Sequence, residues 1–382
     1  MPRSILHMDL DTFFVSCERL FDSRLVGKPI LIGGTSDRGV VASCSYEARK
    51  MGIHAGMSMK MAKERFPEAI VIRGDSRTYT SYSKLVTEIV AEKAPVYEKA
   101  SIDEFYLDFT GLDTYFGSLT YASELRNKII KETGLPISFG LSVNKTVSKI
   151  ATGEAKPNNQ LMVKKGGECT FLAPLSVSKI PMVGLKTFQT LCNLGLRKIE
   201  TIQRIERDMM ECFLGKNGLL IWDRASGIDT SPVIPFNERK SISTETTFSN
   251  DTADIIYLHS VLLGMTEKLS YQLRKEGKLT SCIAINIRFS DFQTYTFQKK
   301  IAYTAADHQL MLFVKELFEK SFQRRMLIRL VGVRFSDLVY GNHPWTLFED
   351  VDKYNGLYLA LDKIKDRFGE NAIVRAGTII NK

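Results

Sequence analysis

The order of hydrophobic and polar residues predicts short strands alternating with amphipathic helices along most of the chain. Apolar residues crowd the stretches 4–11 and 100–109, which is typical of buried strands. Leu85, Ile89 and Val90 recur at helical spacing and indicate a helix over 79–94. The pattern also predicts strands at 29–34, 39–45 and 136–143 and helices at 13–21, 46–51, 58–66, 119–133 and 145–155. We expect an antiparallel sheet with helices on one face and the active site on the open face.

A second α/β unit is predicted after a linker at 232–240, which contains two prolines and several charged residues. Isoleucines alternate strictly from Ile283 to Ile287 and indicate a strand with one buried face. The remaining predicted elements are a helix-hairpin-helix at 176–196, helices at 252–276, 307–322 and 354–368, and strands at 294–301 and 327–338.

Acidic residues interrupt the two most apolar strands. Asp103 and Glu104 are adjacent in one of them, and Asp9 and Asp11 lie two apart, on one face, in the other. Removing an unpaired carboxylate from water costs several kcal/mol, so buried acids need a cation or an arginine. Because neighbouring strand residues face opposite sides, Asp103 and Glu104 can serve one site only if a turn or bulge lies at 102–103.

Asp9, Asp103 and Glu104 together would supply three hard oxygen donors of the kind that Mg²⁺ prefers. Such a cluster suits phosphoryl transfer assisted by two metal ions. The alternative is that these acids are surface charges or salt-bridge partners, which is a simpler explanation for one acidic strand than for two.

Length and composition are those of a globular protein with two to four domains. The 382 residues are 44% hydrophobic and 25% charged, and the formal net charge of +9 favours a polyanionic partner. The six cysteines show no metal-ligand spacing, as expected in a reducing cytoplasm. The N-terminus runs directly into a strand and no apolar run is long enough to span a bilayer, so we expect a cytoplasmic protein without membrane contact.

Four motifs occur in an order and spacing that resemble the Y-family translesion DNA polymerases, with the closest resemblance to their bacterial DNA polymerase IV branch. They are Asp9-Leu10-Asp11-Thr12-Phe13-Phe14, Tyr46-Glu47-Ala48-Arg49-Lys50, Ser101-Ile102-Asp103-Glu104 and Ala155-Lys156-Pro157-Asn158. The resemblance covers about nine-tenths of the chain. It implies an α+β right-hand polymerase with a ferredoxin-like palm, small fingers, a helical thumb and an α/β little finger.

The resemblance also implies domain limits. The palm would comprise 1–12 and 74–165, the fingers 13–73, the thumb with its helix-hairpin-helix 166–231, the linker 232–242, and the little finger 243–342. Residues 343–382 would form a C-terminal tail with a short peptide for binding a sliding clamp.

For the active site, the resemblance implies two Mg²⁺ ions. Asp9 and Asp103 would bridge both ions, Glu104 would bind the catalytic one, and the Leu10 carbonyl would bind the one associated with the nucleotide. The first ion would lower the pKa of the primer 3′-hydroxyl, and the second would stabilise the departing pyrophosphate.

The nucleotide would be bound by residues from three of the motifs and the strand at 39–45, namely Phe13, Phe14, Ser43, Tyr46, Arg49 and Lys156. Tyr46 and Arg49 lie three apart and would share one helix face towards the triphosphate. Phe14 occupies the steric-gate position, where its ring would exclude a 2′-hydroxyl. From the residues alone, Phe14 could be a core residue that anchors the first helix, a role that can coexist with the gate, and the small side chains around Ser43 could merely allow close strand packing.

The expected DNA contacts are Gly184, Lys186, Arg288, Lys299, Arg329 and Arg334. Met182 stands where the usual hairpin has glycine, which departs from the motif. In the tail, Leu347 and Phe348 end a peptide similar to clamp-binding motifs, although Pro344 replaces the usual glutamine. Alternatively, Trp345 and Phe348 pack the terminal helix onto its domain.

The resulting prediction is a monomeric, template-directed DNA polymerase of the translesion type, which extends a primer with deoxynucleoside triphosphates. No nuclease motif is present, so proofreading is not expected. The two alternatives are a palm-domain nucleotidyl cyclase, which would need no thumb or basic terminal domain, and a non-catalytic DNA-binding regulator, which would not need the carboxylates.

Overall fold

The computed structural model describes residues 3–112, 117–235, 238–322, 326–341 and 351–378. The chain divides into two compact units, Met1–Asn237 and Glu238–Lys382. Within the described ranges, no helix has the length and apolar character needed to cross a membrane.

The first unit is built around a five-stranded sheet with β1 at its centre. The eight strands of this unit, which form two sheets, are β1 (Ile5–Leu10), β2 (Ile30–Gly33), β3 (Val41–Cys44), β4 (Ile70–Ile72), β5 (Tyr97–Lys99), β6 (Glu104–Asp108), β7 (Ile137–Ser142) and β8 (Gln160–Met162). The large sheet has the order β5-β6-β1-β7-β8, and a small sheet has the order β3-β2-β4. The large sheet was expected to be antiparallel throughout, but β7 and β8 pair in parallel.

The helices predicted between residues 13 and 155 are all present, and four short helices within 168–225 were not predicted individually. The helices of this unit are α1 (Phe13–Phe21), α2 (Tyr46–Lys50), α3 (Met59–Arg65), α4 (Ser76–Lys93), α5 (Ser118–Thr133), α6 (Lys145–Ala155), α7 (Glu168–Leu172), α8 (Leu185–Asn193), α9 (Ile199–Gln203), α10 (Arg207–Leu214) and α11 (Lys216–Ala225). Several begin at a capping side chain, as α6 does at Asn144, whose side chain accepts from the Val147 amide.

The expectation that all helices lie on one face of the large sheet is wrong. Leu6, Met8 and Leu10 face the core that α4 and α5 complete. The other face of β1 carries His7, whose Nδ1 is 2.8 Å from Thr152 Oγ1 on α6. The helix can approach so closely because Gly140 has no side chain: a Cβ there would lie 2.2 Å from the Ser148 carbonyl oxygen. Helix α6 therefore covers this face of β1 and β7.

The predicted helix-hairpin-helix is shorter than expected. Its first helix is only a 3-10 turn, Val177–Lys179, and its second is α8. In the loop between them, Met182 adopts φ 72°, the left-handed conformation that glycine adopts most easily. The chain therefore makes, at Met182, a backbone turn that a glycine would make with less strain.

The first residues of the predicted linker at 232–242 contact the first unit, and its last two residues belong to the strand Ser241–Thr252 of the second unit. The Ile234 amide donates to Glu98 Oε2 at 2.7 Å, and Arg3 donates to the Ser231 carbonyl at 2.7 Å. Val233 packs with Ile5 in a small buried cluster.

The second unit is a four-stranded sheet with two long helices on one face. Its elements are β9 (Ser241–Thr252), α12 (Ile255–Lys275), β10 (Lys278–Phe289), β11 (Thr294–Thr304), α13 (Asp307–Ser321), β12 (Ile328–Tyr340) and α14 (Val351–Phe368). The strand order is β11-β10-β12-β9. Alternate residues of β10, among them Ile283 and Ile285, form the core beneath α12 and α13, as the alternation predicts. Strand β9 was not predicted because its sequence is mostly polar.

Helix α14 is attached to α12 and α13 mainly by charged and aromatic side chains. Arg274 on α12 donates to both carboxylate oxygens of Asp362, at 2.7 and 2.9 Å, and to Asp307 at 2.5 Å. Glu267 and Lys365 form a second, buried ion pair at 2.7 Å. Breaking one partner of such a pair is costly because it leaves an uncompensated buried charge.

Candidate active site

Two neighbouring strands bring the three predicted carboxylates to one end of the large sheet. Strand β6 begins at Glu104, which lies opposite Asp9 in the antiparallel register. Residues 101–103 form a bend just before the strand, and the Leu10 amide donates to the Asp103 carbonyl at 3.1 Å. The expected break at 102–103 is confirmed, because Asp103 belongs to the turn and Glu104 to the strand.

Lysines from α6 and the residues just after it are paired with acids of this sheet. Lys145 Nζ lies 2.8 Å from each oxygen of Glu98, Lys149 Nζ lies 2.7 Å from each oxygen of Glu104, and Lys156 Nζ lies 2.5 Å from Asp9 Oδ1. Among the described residues, no three acidic, histidine or cysteine side chains are arranged as a metal-ligand cluster. In this structure the ammonium groups neutralise the carboxylates.

The third carboxylate, Asp103, is held by its own turn. Ser101 Oγ donates to Asp103 Oδ1 at 2.5 Å and accepts from the Glu104 amide at 3.0 Å. The serine of the Ser-Ile-Asp-Glu motif therefore fixes the position of both acids that follow it.

Burial dominates the electrostatics of Asp9. It raises the pKa of the Asp9 carboxyl from 3.8 to about 7; the Lys156 ammonium opposes the rise, and the carboxylates of Glu104 and Asp103 contribute to it. Burial likewise lowers the pKa of His7 well below 6.5, with help from Lys149. A positive charge beside Asp9 therefore stabilises its carboxylate, as that of Lys156 does in this structure.

A cavity of about 260 Å³ opens beside these carboxylates. It brings together most of the residues that the motifs predicted, and its lining comprises Asp9, Leu10, Thr12, Phe13, Phe14, Ala42, Ser43, Arg49, Ala55, Asp103 and Lys156. Glu104 and Tyr46 are not part of that lining. The cavity is therefore acidic at the sheet and basic at Arg49 and Lys156.

Tyr46 and Arg49 share one face of α2, as their spacing predicts. The Arg49 guanidinium carbon lies 5.0 Å from the centroid of the Tyr46 ring, and the Tyr46 hydroxyl donates to Asp11 Oδ1 at 3.4 Å. Burial raises the pKa of Tyr46, so its phenol remains a neutral donor.

Phe14 lines the cavity and also packs against the edge of the core. The core position belongs to Phe13, which is 2% exposed, while Phe14 is half-buried and stacks on Tyr79 with ring centroids 4.3 Å apart. The Tyr79 hydroxyl donates to Glu18 Oε1 at 2.5 Å, which holds the supporting ring in place. The ring of Phe14 is thus supported on one side and turned to the cavity on the other.

Asp11 follows the end of β1 and lies on the same side of the sheet as Asp9, as their spacing predicts: the Lys156 ammonium is 2.5 Å from Asp9 Oδ1 and 3.9 Å from Asp11 Oδ1. It is 1% exposed and accepts from the Asn158 amide at 2.5 Å and from Ser138 Oγ at 2.8 Å. Asp11 thereby fixes the loop that carries Lys156. Neither this role nor that of Lys149 was predicted, although the spacing of Lys145 and Lys149 along one helix could have indicated the latter.

The predicted DNA contacts lie in both units. Gly184 precedes the first turn of α8, and both it and Lys186 are exposed. In the second unit, Arg334 lies opposite Ala284 in the register of β10 and β12, so it shares with Arg288 the face away from the helices. Arg329 lies 4.0 Å from Asp251 and against the ring of Phe292.

Lys299 does not belong to that open face, contrary to the prediction. It lies opposite Ile283 in the register, and its ammonium is 2.6 Å from Glu316 on α13. The physical reason is the alternation of side chains along β11, which turns Lys299 towards the helices and the exposed Lys300 away from them. The predicted clamp residues Leu347 and Phe348 lie outside the described residues.

Comparison with known proteins agrees with this geometry. The family model described as "impB/mucB/samB family" matches residues 8–153, and the model of its C-terminal domain matches residues 239–345. A DNA polymerase IV of Dehalococcoides mccartyi is 37% identical over 381 residues, covering 97% of this chain and 96% of that protein. A DNA polymerase IV of Desulfatibacillum aliphaticivorans is 32% identical over 382 residues, covering 98% and 96%.

Among solved structures, a Y-family DNA polymerase chimera matches with a TM-score of 0.78 and 25% identity, covering 88% of this chain and all of that chain. The chain therefore belongs to the Y family of DNA polymerases. It is a DNA-directed DNA polymerase of the translesion type with the expected α+β fold, and the alternatives of a nucleotidyl cyclase and a non-catalytic regulator are not favoured. Members of this family generally require divalent metal ions.

Proposed function

We propose that this polymerase extends a primer at the acidic end of its large sheet, where Asp9, Asp103 and Glu104 hold two Mg²⁺ ions together with the Leu10 carbonyl. The observation that carries the proposal is the cavity of about 260 Å³ lined by Asp9, Asp103, Arg49 and Lys156. Carboxylates on one side and cations on the other suit a metal-bound triphosphate.

The donor set fits magnesium. The donors are oxygens, and Mg²⁺ prefers one or two carboxylates with substrate phosphates over a closed protein cage. Lysine ammonium groups lie within 2.7 Å of Asp9 and Glu104, so both positions accept a cation. When bound, the metal ions would activate the primer hydroxyl and stabilise charge on the leaving pyrophosphate.

The remaining lining residues would bind the nucleotide. Arg49 can contact phosphate oxygens through two parallel hydrogen bonds, with Tyr46 beside it on α2. Lys156 can move from Asp9 to the triphosphate, because either partner provides an oxygen anion within reach of its flexible side chain. Phe13 anchors the start of α1, Ser43 leaves room for the base, and the Tyr79-supported ring of Phe14 excludes a 2′-hydroxyl.

We further propose the domain limits and partners that the motifs imply. Residues 1–12 and 74–165 are the palm, 13–73 the fingers, 166–231 the thumb, 232–242 the linker and 243–342 the little finger. The open face of the second sheet, with Arg288, Lys300 and Arg334, contacts DNA phosphates, and Gly184 and Lys186 contact them from the thumb.

The cellular setting is also a proposal. All six cysteines are unpaired, which supports a reducing cytoplasm, and we propose that the enzyme acts as a monomer. A clamp contact through Leu347 and Phe348 completes the proposed partners. Loss of binding to the bacterial sliding clamp on replacing both residues by alanine would support that contact.

The test of the catalytic assignment is Glu104→Ala, with Asp108→Ala as a matched control at the other end of the same strand. Primer extension with Mg²⁺ and four deoxynucleotides should fall by roughly three orders of magnitude or more in Glu104→Ala, because a metal-ligating carboxylate acts on the transition state. Binding of primer–template DNA should change little in either variant. Extension by Glu104→Ala at the rate of the control would show that the assignment is wrong.

A further inference from the structure

The open face of the second sheet carries an acid as well as basic residues. Residues that lie opposite one another in adjacent strands share a face, and such a row runs from Glu245 through Gly332 and Asn286 to Thr296. The row therefore crosses all four strands on the side away from α12 and α13.

Hydrogen bonds fix the carboxylate over the middle of the sheet. Asn286 Nδ2 donates to Glu245 Oε1 at 2.7 Å, and Thr296 Oγ1 donates to Asn286 Oδ1 at 2.8 Å. Glu245 reaches Asn286 by lying across Gly332, where a Cβ would be 2.5 Å from its Cγ. The absence of a side chain at position 332 is thus what allows the acid to extend from the edge strand to the centre.

The two neighbouring rows carry the arginines. On the same face of the sheet, the row on one side of Asn286 contains Ala284 and Arg334, which lie opposite each other. The row on the other side contains Arg288, opposite Leu330. A DNA backbone that contacts both arginines must pass the carboxylate between them. Glu245 is exposed, so its charge is not removed by burial.

We propose that Glu245 is an affinity-limiting residue, whose fixed carboxylate weakens the hold of this face on the DNA backbone and so shortens each binding event. The proposal rests on the proposed DNA contact of the same face. Two like charges about 7 Å apart repel by an amount that changes an equilibrium constant about threefold in water, and more near a protein surface. Removing the charge should therefore raise DNA affinity about three- to tenfold at low ionic strength, with a smaller gain at higher salt.

The experiment compares full-length variants binding a fluorescent primer–template duplex, without nucleotide, by anisotropy at several salt concentrations. Glu245→Gln removes the charge and retains an oxygen for Asn286. Glu316→Gln makes the same change of net charge on α13, at the opposite face, where Glu316 accepts from Lys299. The first variant should bind the duplex more tightly than the parent, and the second should bind it like the parent.

A third variant separates the inference from the function on which it rests. The double variant, in which both Arg288 and Arg334 are replaced by alanine, should weaken DNA binding if this face contacts the DNA backbone. Unchanged binding there would overturn the proposed DNA face. Weaker binding there, combined with equal or lower affinity in Glu245→Gln, would overturn the role of Glu245 alone. Equal gains in Glu245→Gln and Glu316→Gln would also overturn it, because net charge would then explain the effect.

Discussion

Asp11 offers the sharpest test of how the active-site loop is held. The Asp11→Ala change removes the acceptor for the Asn158 amide, at 2.5 Å, for Ser138 Oγ, at 2.8 Å, and for the more distant Tyr46 hydroxyl, at 3.4 Å. The first two donors lie near a carboxylate that is 1% exposed, so water cannot readily replace it. Leaving a buried donor unsatisfied costs about 1–3 kcal/mol, and the Asn158 and Ser138 donors together give an expected loss of roughly 2–6 kcal/mol in the free energy of unfolding.

The functional effect should follow from Lys156, which precedes the anchored amide by two residues. Without its anchor, the loop should present the ammonium less often to the nucleotide, and the KM for deoxynucleotides should rise about tenfold while kcat changes less. Urea denaturation and steady-state extension kinetics measure the two effects. Ser138→Ala is the control, because it leaves the Asn158 amide bonded to Asp11; it removes one donor to Asp11 and the acceptor of the Asn159 amide, and should cost about 1–3 kcal/mol with little change in KM.

Two outcomes would refute this reasoning. A loss of less than about 0.5 kcal/mol in Asp11→Ala would show that the buried hydrogen bonds do not stabilise the loop. A large loss of stability with an unchanged KM would show that the loop position does not matter for nucleotide binding.

Three further predictions concern the gate, the buried acid and the C-terminal helix. Phe14→Ala should relax selection against ribonucleotides by at least about a hundredfold in relative kcat/KM, measured by single-nucleotide insertion of both sugars. Because the pKa of Asp9 is raised from 3.8 to about 7, the metal-free protein should lose stability as pH rises between those values, and Asp9→Asn should flatten that dependence in urea denaturation. Arg274→Met leaves Asp307, which is 2% exposed, without its main partner. The stability of the second unit should fall by about 3–5 kcal/mol, measured by thermal unfolding. Lys275→Met, which removes an exposed ion pair with Asp366, should change that stability little.

Local sequence signals predicted the elements around the site well. The helices predicted at 13–21 and 145–155 have those bounds in the structure, because each begins beside a clear boundary and has one apolar face. The convergence of Asp9, Asp103 and Glu104 could be inferred from the cost of burying acids in apolar strands.

Features that depend on register or on distant contacts could not be predicted in this way. Lys299 was placed on the wrong face because a shift of one residue along a strand reverses every side chain. Strand β9 is mostly polar, so its pairing with β12 left no hydrophobic signal. The role of Asp11 depends on Ser138 and Asn158, more than a hundred residues away in sequence.

Gly140 lies more than 30 residues from any catalytic carboxylate in the sequence, yet it sets the spacing of the catalytic centre. Any larger residue there would push α6 outwards, since a single added carbon would meet the backbone of Ser148 and Thr152. Lys149 and the residues leading to Lys156 would move with the helix and lose their distance to the acids of β1 and β6. The missing side chain of Gly140 thus sets the distance between the lysine ammonium groups and the carboxylates of the active site.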